Sequence, residues 1–404
     1  MANRIITPSM VAKEAVLMLD NELVMASKVN RDYEEEFDKK PNGYSVGDTI
    51  TIGRPNDFTV RDGRTASAQD AQEGKTSLVV NKFKGVDFKF TSQQLTQDIK
   101  SLSERVIKPA MIQLANQVDV DLHALYKSVP NWVGTPGQDI NSFADFAKGP
   151  RFLDDTAVPP ERTGVLCPAD HWALVGSQTS LYAETLVKPA YREGATGKIG
   201  DIDLFSTANV ATHTCGSDMS GTVNQSVTTS TITWADVRDT NQQTITTSSV
   251  NFNAGDVFTI DDVYEVNPVT KVSTGVLKQF VCVSYSANSL VFSPAIIWTG
   301  AHATAAITSG VTDLNTAAIT GVGTAGTAYR QNMIFHRKAF ALAMVPLVSP
   351  PGAVDVGRQT YKGLSVRVIP VYDGINDESL WRLDILYGVK AVDPRLAVRI
   401  SGSS

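Results

Sequence analysis

Basic residues are nearly missing from residues 206–328. That block has only Arg238, Lys271 and Lys278 against eight acids and 36 serines and threonines, a net charge of −5 out of −6 for the whole chain. No cluster of Lys and Arg stands elsewhere either, which excludes tight duplex binding led by phosphate contacts, though not the enclosure of nucleic acid. Cysteine is equally sparse. Cys167, Cys215 and Cys282 are far apart and odd in number, which excludes a disulfide framework and predicts reduced, buried thiols in a cytosolic product. No apolar run reaches the roughly 20 residues of a membrane-spanning helix. Met1–Ser9 has one Arg and no apolar stretch, so no secretion signal is expected. No repeat of 20 to 50 residues recurs.

What is present supports at least two cores, since 404 residues exceed the roughly 250 to 300 that one core usually serves. Apolar content of 42% and charge of 19% are those of folded protein. The Ser/Thr-rich block differs from both flanks and reads as an all-β domain inserted in an α/β-looking host. Inside it, strands are expected at 243–247, 255–260, 276–284 and 289–296, joined by Gly, Asn and Ser turns as in a sandwich or barrel.

In the host, Thr7-Pro8 starts a helix whose Ala12, Ala15, Val16, Leu19 and Leu23 recur at spacings of three and four, predicting a helix to about Val29. Residues 31–37 are too charged for a core and are expected to lie extended. A turn at Pro41-Asn42-Gly43 precedes a strand at 47–53. From Phe58 to Gly74 almost every residue is polar, while the flanks alternate as strands. The expectation is a hairpin arm with a long polar tip. A short helix at 92–98 and a long one at 103–129 follow, the second with an apolar stripe of Met111, Ala115, Val118, Leu122, Leu125 and Val129, and with Pro109 at a kink or first turn. Helix 141–155, with Phe143, Phe146, Ala147 and Leu153 as core, strand 163–167 and a helix from Pro168 come next. After the block, 332–343 is expected to be buried, and 363–368 and 381–388 to be strands.

Catalytic patterns are weak. Gly321-Val322-Gly323-Thr324-Ala325-Gly326 has the letters of a dinucleotide fingerprint, but that site needs a following helix and an acid about 20 residues on. No Asp or Glu occurs from Leu314 to Val354. Cys167, Asp170 and His171 do not form a nucleophile–base pair by spacing, and Asp170 reads as an acid at a helix start. His123, His213, His302 and His336 are solitary. No enzyme activity, cofactor or metal is expected. An amphipathic N-terminal helix, a polar arm, a long helix and an inserted β domain are instead surfaces that bury little by themselves and suit a self-assembling protein.

Three stretches resemble the P22-type coat family of short-tailed phages, major capsid proteins of the Hong Kong 97 (HK97) fold. They are Leu114-Ala115-Asn116-Gln117-Val118-Asp119; Ala254–Tyr264 with Phe280-Val281-Cys282-Val283; and Tyr372–Asp377 with Arg382–Gly388 and Pro394. The resemblance implies an α+β fold with an N-arm (1–42), an E-loop hairpin (43–90), P- and A-domains (91–209 and 329–404) and an inserted β barrel or sandwich (210–328). It implies a virion shell of pentamers and hexamers around double-stranded DNA, assembled in the host bacterial cytoplasm with scaffolding and portal proteins, through a procapsid that expands. An encapsulin-like compartment of the same fold is the alternative, one that would not usually carry the insert. No membrane and no covalent crosslink are implied. Candidate contacts between subunits are Arg61, Asp62 and Arg64 at the arm's tip, and Asp236, Arg238 and Asp239 in the loop Trp234–Gln242, which matches the family's intercapsomer loop.

Overall fold

The structure, a computed structural model, describes residues 8–33, 48–65, 68–69, 71–91, 106–178, 198–228, 231–350, 356–361 and 364–403. The expected extension at 34–37, the turn at 41–43, the helix at 92–98 and residues 103–105 of the long helix lie outside them. Two compact units are present. One comprises Met1–Thr51, Ser77–Leu122 and Phe340–Lys390, the other Ile52–Thr76, His123–Ala339 and Ala391–Ser404.

The first unit is a helix laid on an antiparallel sheet. Strand Glu378–Ala391 lies at its centre, paired with Lys82–Thr91 and Leu364–Asp373, and Phe340–Met344 and Gly357–Tyr361 complete it. Helix Pro8–Glu22 buries Ala12, Ala15, Val16 and Leu19, the residues its periodicity selects. It stops seven residues short of the expected Val29 for a tertiary reason. The buried Asp119 carboxylate accepts the Val24 N–H (2.9 Å) and the Ala26 N–H (3.1 Å), which removes those amides from the helical ladder and leaves a 3₁₀ turn at Met25–Ser27. Burial pushes Asp119 above the ordinary carboxylate range, and the same backbone bonds oppose the shift.

Asp119 belongs to the long helix, which is α-helical over Lys108–His123 and 3₁₀ over Ala124–Ser128. Its 16 α-helical residues span about 24 Å. Pro109 stands in the first turn, where its missing N–H removes no helical bond. Met111, Ala115, Val118 and Leu122 form the buried stripe, while Leu125 is only half-buried. Asp121, on the same helix, accepts the Tyr387 hydroxyl (2.7 Å) and pairs with Lys82 (2.9 Å), tying helix to sheet. In the sheet interior the fully buried Asp384 binds Arg367 at 2.7 Å and Arg382 at 3.4 Å. Gly85 lies opposite, where a Cβ would come within 2.6 Å of the Asp384 carboxylate.

The second unit holds two larger sheets of different character, beside the two-stranded pair Thr212–Thr214 with Ala328–Arg330. A mixed six-stranded sheet runs Trp132–Val133, Ala397–Ile400, Asn332–His336, Arg162–Leu166, Ile202–Ser206, Lys198–Ile199. Helices Phe143–Asp155 and Pro168–Gln178 contribute Phe146, Leu153 and Leu174 to a core with Ile334, Val398 and Ile400. The first helix begins at Phe143 because Ser142 caps it, accepting the Asp145 N–H at 3.1 Å. Phe143 itself, expected in the core, is 57% exposed at that first position.

Seven further strands, all within Ser220–Gly321, form the other sheet. The order is Ser273–Ser286, Ser289–Ser293, Gln243–Ser248, Ser220–Val223, Ala318–Gly321, Val257–Val266, Ala305–Ile307. Val257–Val266 also pairs with Ser273–Ser286, so the first six close on themselves as an antiparallel barrel. Closure leaves those strands without free edges. The Thr-rich composition follows from the pleat. Along Gln243–Ser248, Gln243, Ile245 and Thr247 point inward and Thr244 and Thr246 outward, so β-branched hydroxyl residues coat the wall without charge. Phe252, Phe258, Phe280 and Phe292 fill the centre, with ring centroids 5.1–5.7 Å apart.

Candidate functional site

The polar arm is a hairpin on paired strands Thr49–Gly53 and Lys75–Val79. Partway along, Gln69 braces it by accepting the Thr59 N–H (2.9 Å) and donating to the Thr59 carbonyl (2.6 Å). Beyond the brace, Arg61 donates to the carbonyls of Gly63 and Thr65, shaping the tip. Arg61, Asp62 and Arg64 are all exposed, as expected. So are two apolar neighbours the polarity of the segment had hidden, Val60 at 100% and Phe58 at 60%.

The loop expected at 234–242 begins as a short helix, Trp234–Val237. Asp236 accepts the Thr233 N–H (2.9 Å) and hydroxyl (2.7 Å) in a capping box, which holds its carboxyl below the usual range. The Thr-x-x-Asp spacing carried that signal in the sequence. Asp239 accepts the N–H of Lys75, in the arm, at 2.9 Å. Arg238 lies 3.8 Å from Asp239 with its side chain about half exposed. Trp234 donates its indole N–H to the Gln72 carbonyl (3.0 Å) and stacks on His302 at 4.4 Å. Asp57, at the arm's other side, faces Lys271 (3.5 Å) and His302 (4.0 Å). The two candidate segments, far apart in sequence, therefore meet at the base of the arm.

The catalytic patterns resolve into structural ones. Cys167 donates its thiol to Asp170 (2.8 Å), whose carboxylate also accepts the Ile140 N–H (2.9 Å) and the Asn332 amide (2.7 Å). Burial and Asp170 push that thiol up, opposite to what a nucleophile needs. After Gly321–Gly326 comes strand Ala328–Arg330 rather than a helix, so no phosphate-binding helix start exists there. At Gly321 a Cβ would meet Met219 at 2.5 Å, and Gly323 has φ +104°, so these glycines serve close packing and a turn.

His213, Cys215 and Asp256 do converge, all buried. His213 and Asp256 are held in a hydrogen-bond network of the chain's own groups. His213 bonds Asp256 (2.7 Å) and the Tyr126 hydroxyl (3.0 Å), and Asp256 also accepts the N–H groups of Gly216 (2.9 Å) and Asn253 (2.6 Å). Burial and Asp256 push the Cys215 thiol up to about 12. This cluster ties the barrel to the 3₁₀ turn Ala124–Ser128 through Tyr126, and two further contacts tie it to the mixed sheet. Arg399, fully buried in the last strand, donates to the Gly255 carbonyl (2.9 Å) and Gln331 (3.1 Å) and lies over the rings of Tyr126 and Trp132. Gln279 exchanges two hydrogen bonds with the Trp132 backbone, at 2.6 and 2.8 Å. Sequence reading missed Arg399, whose burial no local pattern announces.

Comparison with known proteins accords with this architecture. The chain is 22% identical over 395 residues to the major capsid protein of Acyrthosiphon pisum secondary endosymbiont phage 1, covering 89% of this chain and 90% of that one. Among solved structures it is similar to one from Mycobacterium phage Che8, with TM-score 0.50, 15% identity and coverage of 93% and 90%. A virus-like particle from Pyrococcus furiosus is similar at TM-score 0.40 and 8% identity, with coverage of 97% and 98%. The sequence model of the family described as "P22 coat protein - gene protein 5" matches residues 2–402. With an α+β fold of the HK97 type and a match over nearly its whole length, the chain belongs to the P22 coat protein family and is a tailed-phage major capsid protein, the building block of the shell.

Proposed function

We propose that this capsid protein assembles as pentamers and hexamers on a scaffolding protein in the host bacterial cytoplasm. The resulting precursor shell incorporates a portal and expands around double-stranded DNA. In this reading residues 1–42 are an N-arm, 43–90 the E-loop, 91–209 and 329–404 the P- and A-domains, and 210–328 the inserted domain. Neighbouring copies meet at Arg61, Asp62 and Arg64 and at Asp236, Arg238 and Asp239.

The observation that carries the contact assignment is the arm's tip. Val60 is 100% and Phe58 60% exposed beside two arginines, on a segment with no core of its own. Such a surface is explained by a neighbour that covers it. In the barrel loop, Asp236 and Asp239 bond within the chain, so Arg238 supplies the outward charge. Exposed ion pairs contribute only about 0–1 kcal/mol each, but a shell repeats them at every contact. The test is co-expression with scaffolding protein and electron microscopy of the products. Arg61→Glu with Arg64→Glu should leave a soluble folded monomer that forms few closed shells. Wild-type shell yield from that variant would refute the assignment.

A further inference from the structure

We propose that the barrel loop 233–242, with Lys271 and His302, is a clasp that sets the position of the arm, and that Trp234 is its positioning residue. The inference rests on the reading above, in which the arm's tip meets a neighbouring copy. It adds that the barrel of the same chain prepares that tip for the encounter.

The arm is gripped on both of its strands. On the ascending side, Asp57 faces Lys271 and His302. On the descending side, Trp234 holds the Gln72 carbonyl and Asp239 holds the Lys75 N–H. Between these two contacts Gly74 lies so close to the Arg238 carbonyl that no Cβ fits. The indole is itself fixed, with its ring 8° from parallel to the His302 ring and packed beside Val237, Ala295 and Ile297. Burial keeps His302 below its ordinary pKa against the pull of Asp57, which favours the neutral ring in that stack.

The grip ends at the base. Phe58, Val60 and the tip arginines lie beyond it, exposed. Nor is the junction a continuous core. A cavity of about 70 Å³, lined by charged side chains including Arg54, Asp57, Lys271 and Arg395, lies among these residues. Polar contacts around a cavity make a separable junction rather than a fused one. A free arm of about twenty residues would lose considerable conformational freedom on meeting a neighbour, and holding its base in advance reduces that loss. The geometry thus gives the barrel a role in assembly that requires no contact of its own with another subunit.

Two full-length variants test this from opposite sides, Trp234→Ala in the barrel and Gly74→Ala in the arm. The readouts are amide hydrogen exchange across 54–76 and the rate of shell formation with scaffolding protein. Reactivity of Cys215 and Cys282, both buried in the barrel, reports whether the barrel stays folded. Both variants should exchange the Lys75 amide at least tenfold faster and form shells at least tenfold more slowly, with both thiols still protected. If Trp234→Ala unmasks the thiols, Gly74→Ala, which changes no barrel residue, decides alone. Unchanged exchange would overturn the clasp. Faster exchange with wild-type assembly would overturn its role. Should the wild-type chain itself form no shells, the assembly reading fails, and exchange still decides whether the clasp exists.

Discussion

His123 ends the α-helical part of the long helix with its ring 1% exposed and neither nitrogen hydrogen-bonded among the described residues. Burial pulls its pKa down to about 4. Between the ordinary value near 6.5 and that figure, the unfolded chain takes up a proton that the folded chain refuses, so stability falls as pH falls through this window. The full loss is roughly 3 kcal/mol. His123→Met should remove it, seen as a smaller drop in the urea midpoint between pH 7 and pH 4.5 than in wild type; equal drops would refute the assignment. Arg399 is the second buried residue with a clear consequence. Replacing it with Leu leaves Asp256 without its nearby cation and the Gly255 carbonyl and Gln331 without their donor, at a cost of roughly 3–5 kcal/mol in denaturant unfolding. A change below about 1 kcal/mol would show that Arg399's hydrogen bonds and charge contribute little to stability.

Among elements, the N-terminal helix shows best where local reading stops. Its apolar spacing was legible from Ala12 to Leu19, but its end depends on Asp119, 93 and 95 positions away from the amides it accepts. Asp119→Ala should strand those two N–H groups at a cost of about 1–3 kcal/mol and make residues 23–27 newly susceptible to limited proteolysis. An unchanged digestion pattern would argue against the anchor. Strands read from alternation were real with displaced ends: 289–296 stops at Ser293, and 255–260 becomes Val257–Val266. Trp381–Gly388 extends to Glu378–Ala391 because two partner strands continue its ladder past the apolar residues that mark it. Phe143 was misread as core because an apolar letter does not say which side of a helix start it occupies.

For the whole molecule, the barrel and the mixed sheet share the Trp132–Gln279 exchange and Arg399, and the Tyr126–His213–Asp256 chain joins the barrel to the turn Ala124–Ser128. Deleting about 215 to 325 removes His213's partner Asp256, the Gly255 carbonyl that accepts from Arg399, and the Gln279 amide that pairs with the Trp132 backbone. That deletion should aggregate on expression. A soluble, normally assembling product would refute the dependence. Composition alone located the barrel, because a threonine-coated wall with little charge stands out from mixed-charge flanks. The order of the three matching stretches likewise marks the family in the sequence.

What the sequence by itself determined are the properties that nearest neighbours encode: helical and strand periodicity, the Thr-rich barrel wall, the polar arm and the exclusion of a dinucleotide site by its missing acid. Tertiary structure alone decided that six strands close into a barrel, that Asp239 belongs to the arm's base and that Arg399 is buried. The reason is one of range. Periodicity and propensity act over a few residues, whereas the Lys75–Asp239 and Arg399–Gly255 contacts join positions 164 and 144 apart. Such partners are chosen by which surfaces the packed fold brings together, and no local window contains both.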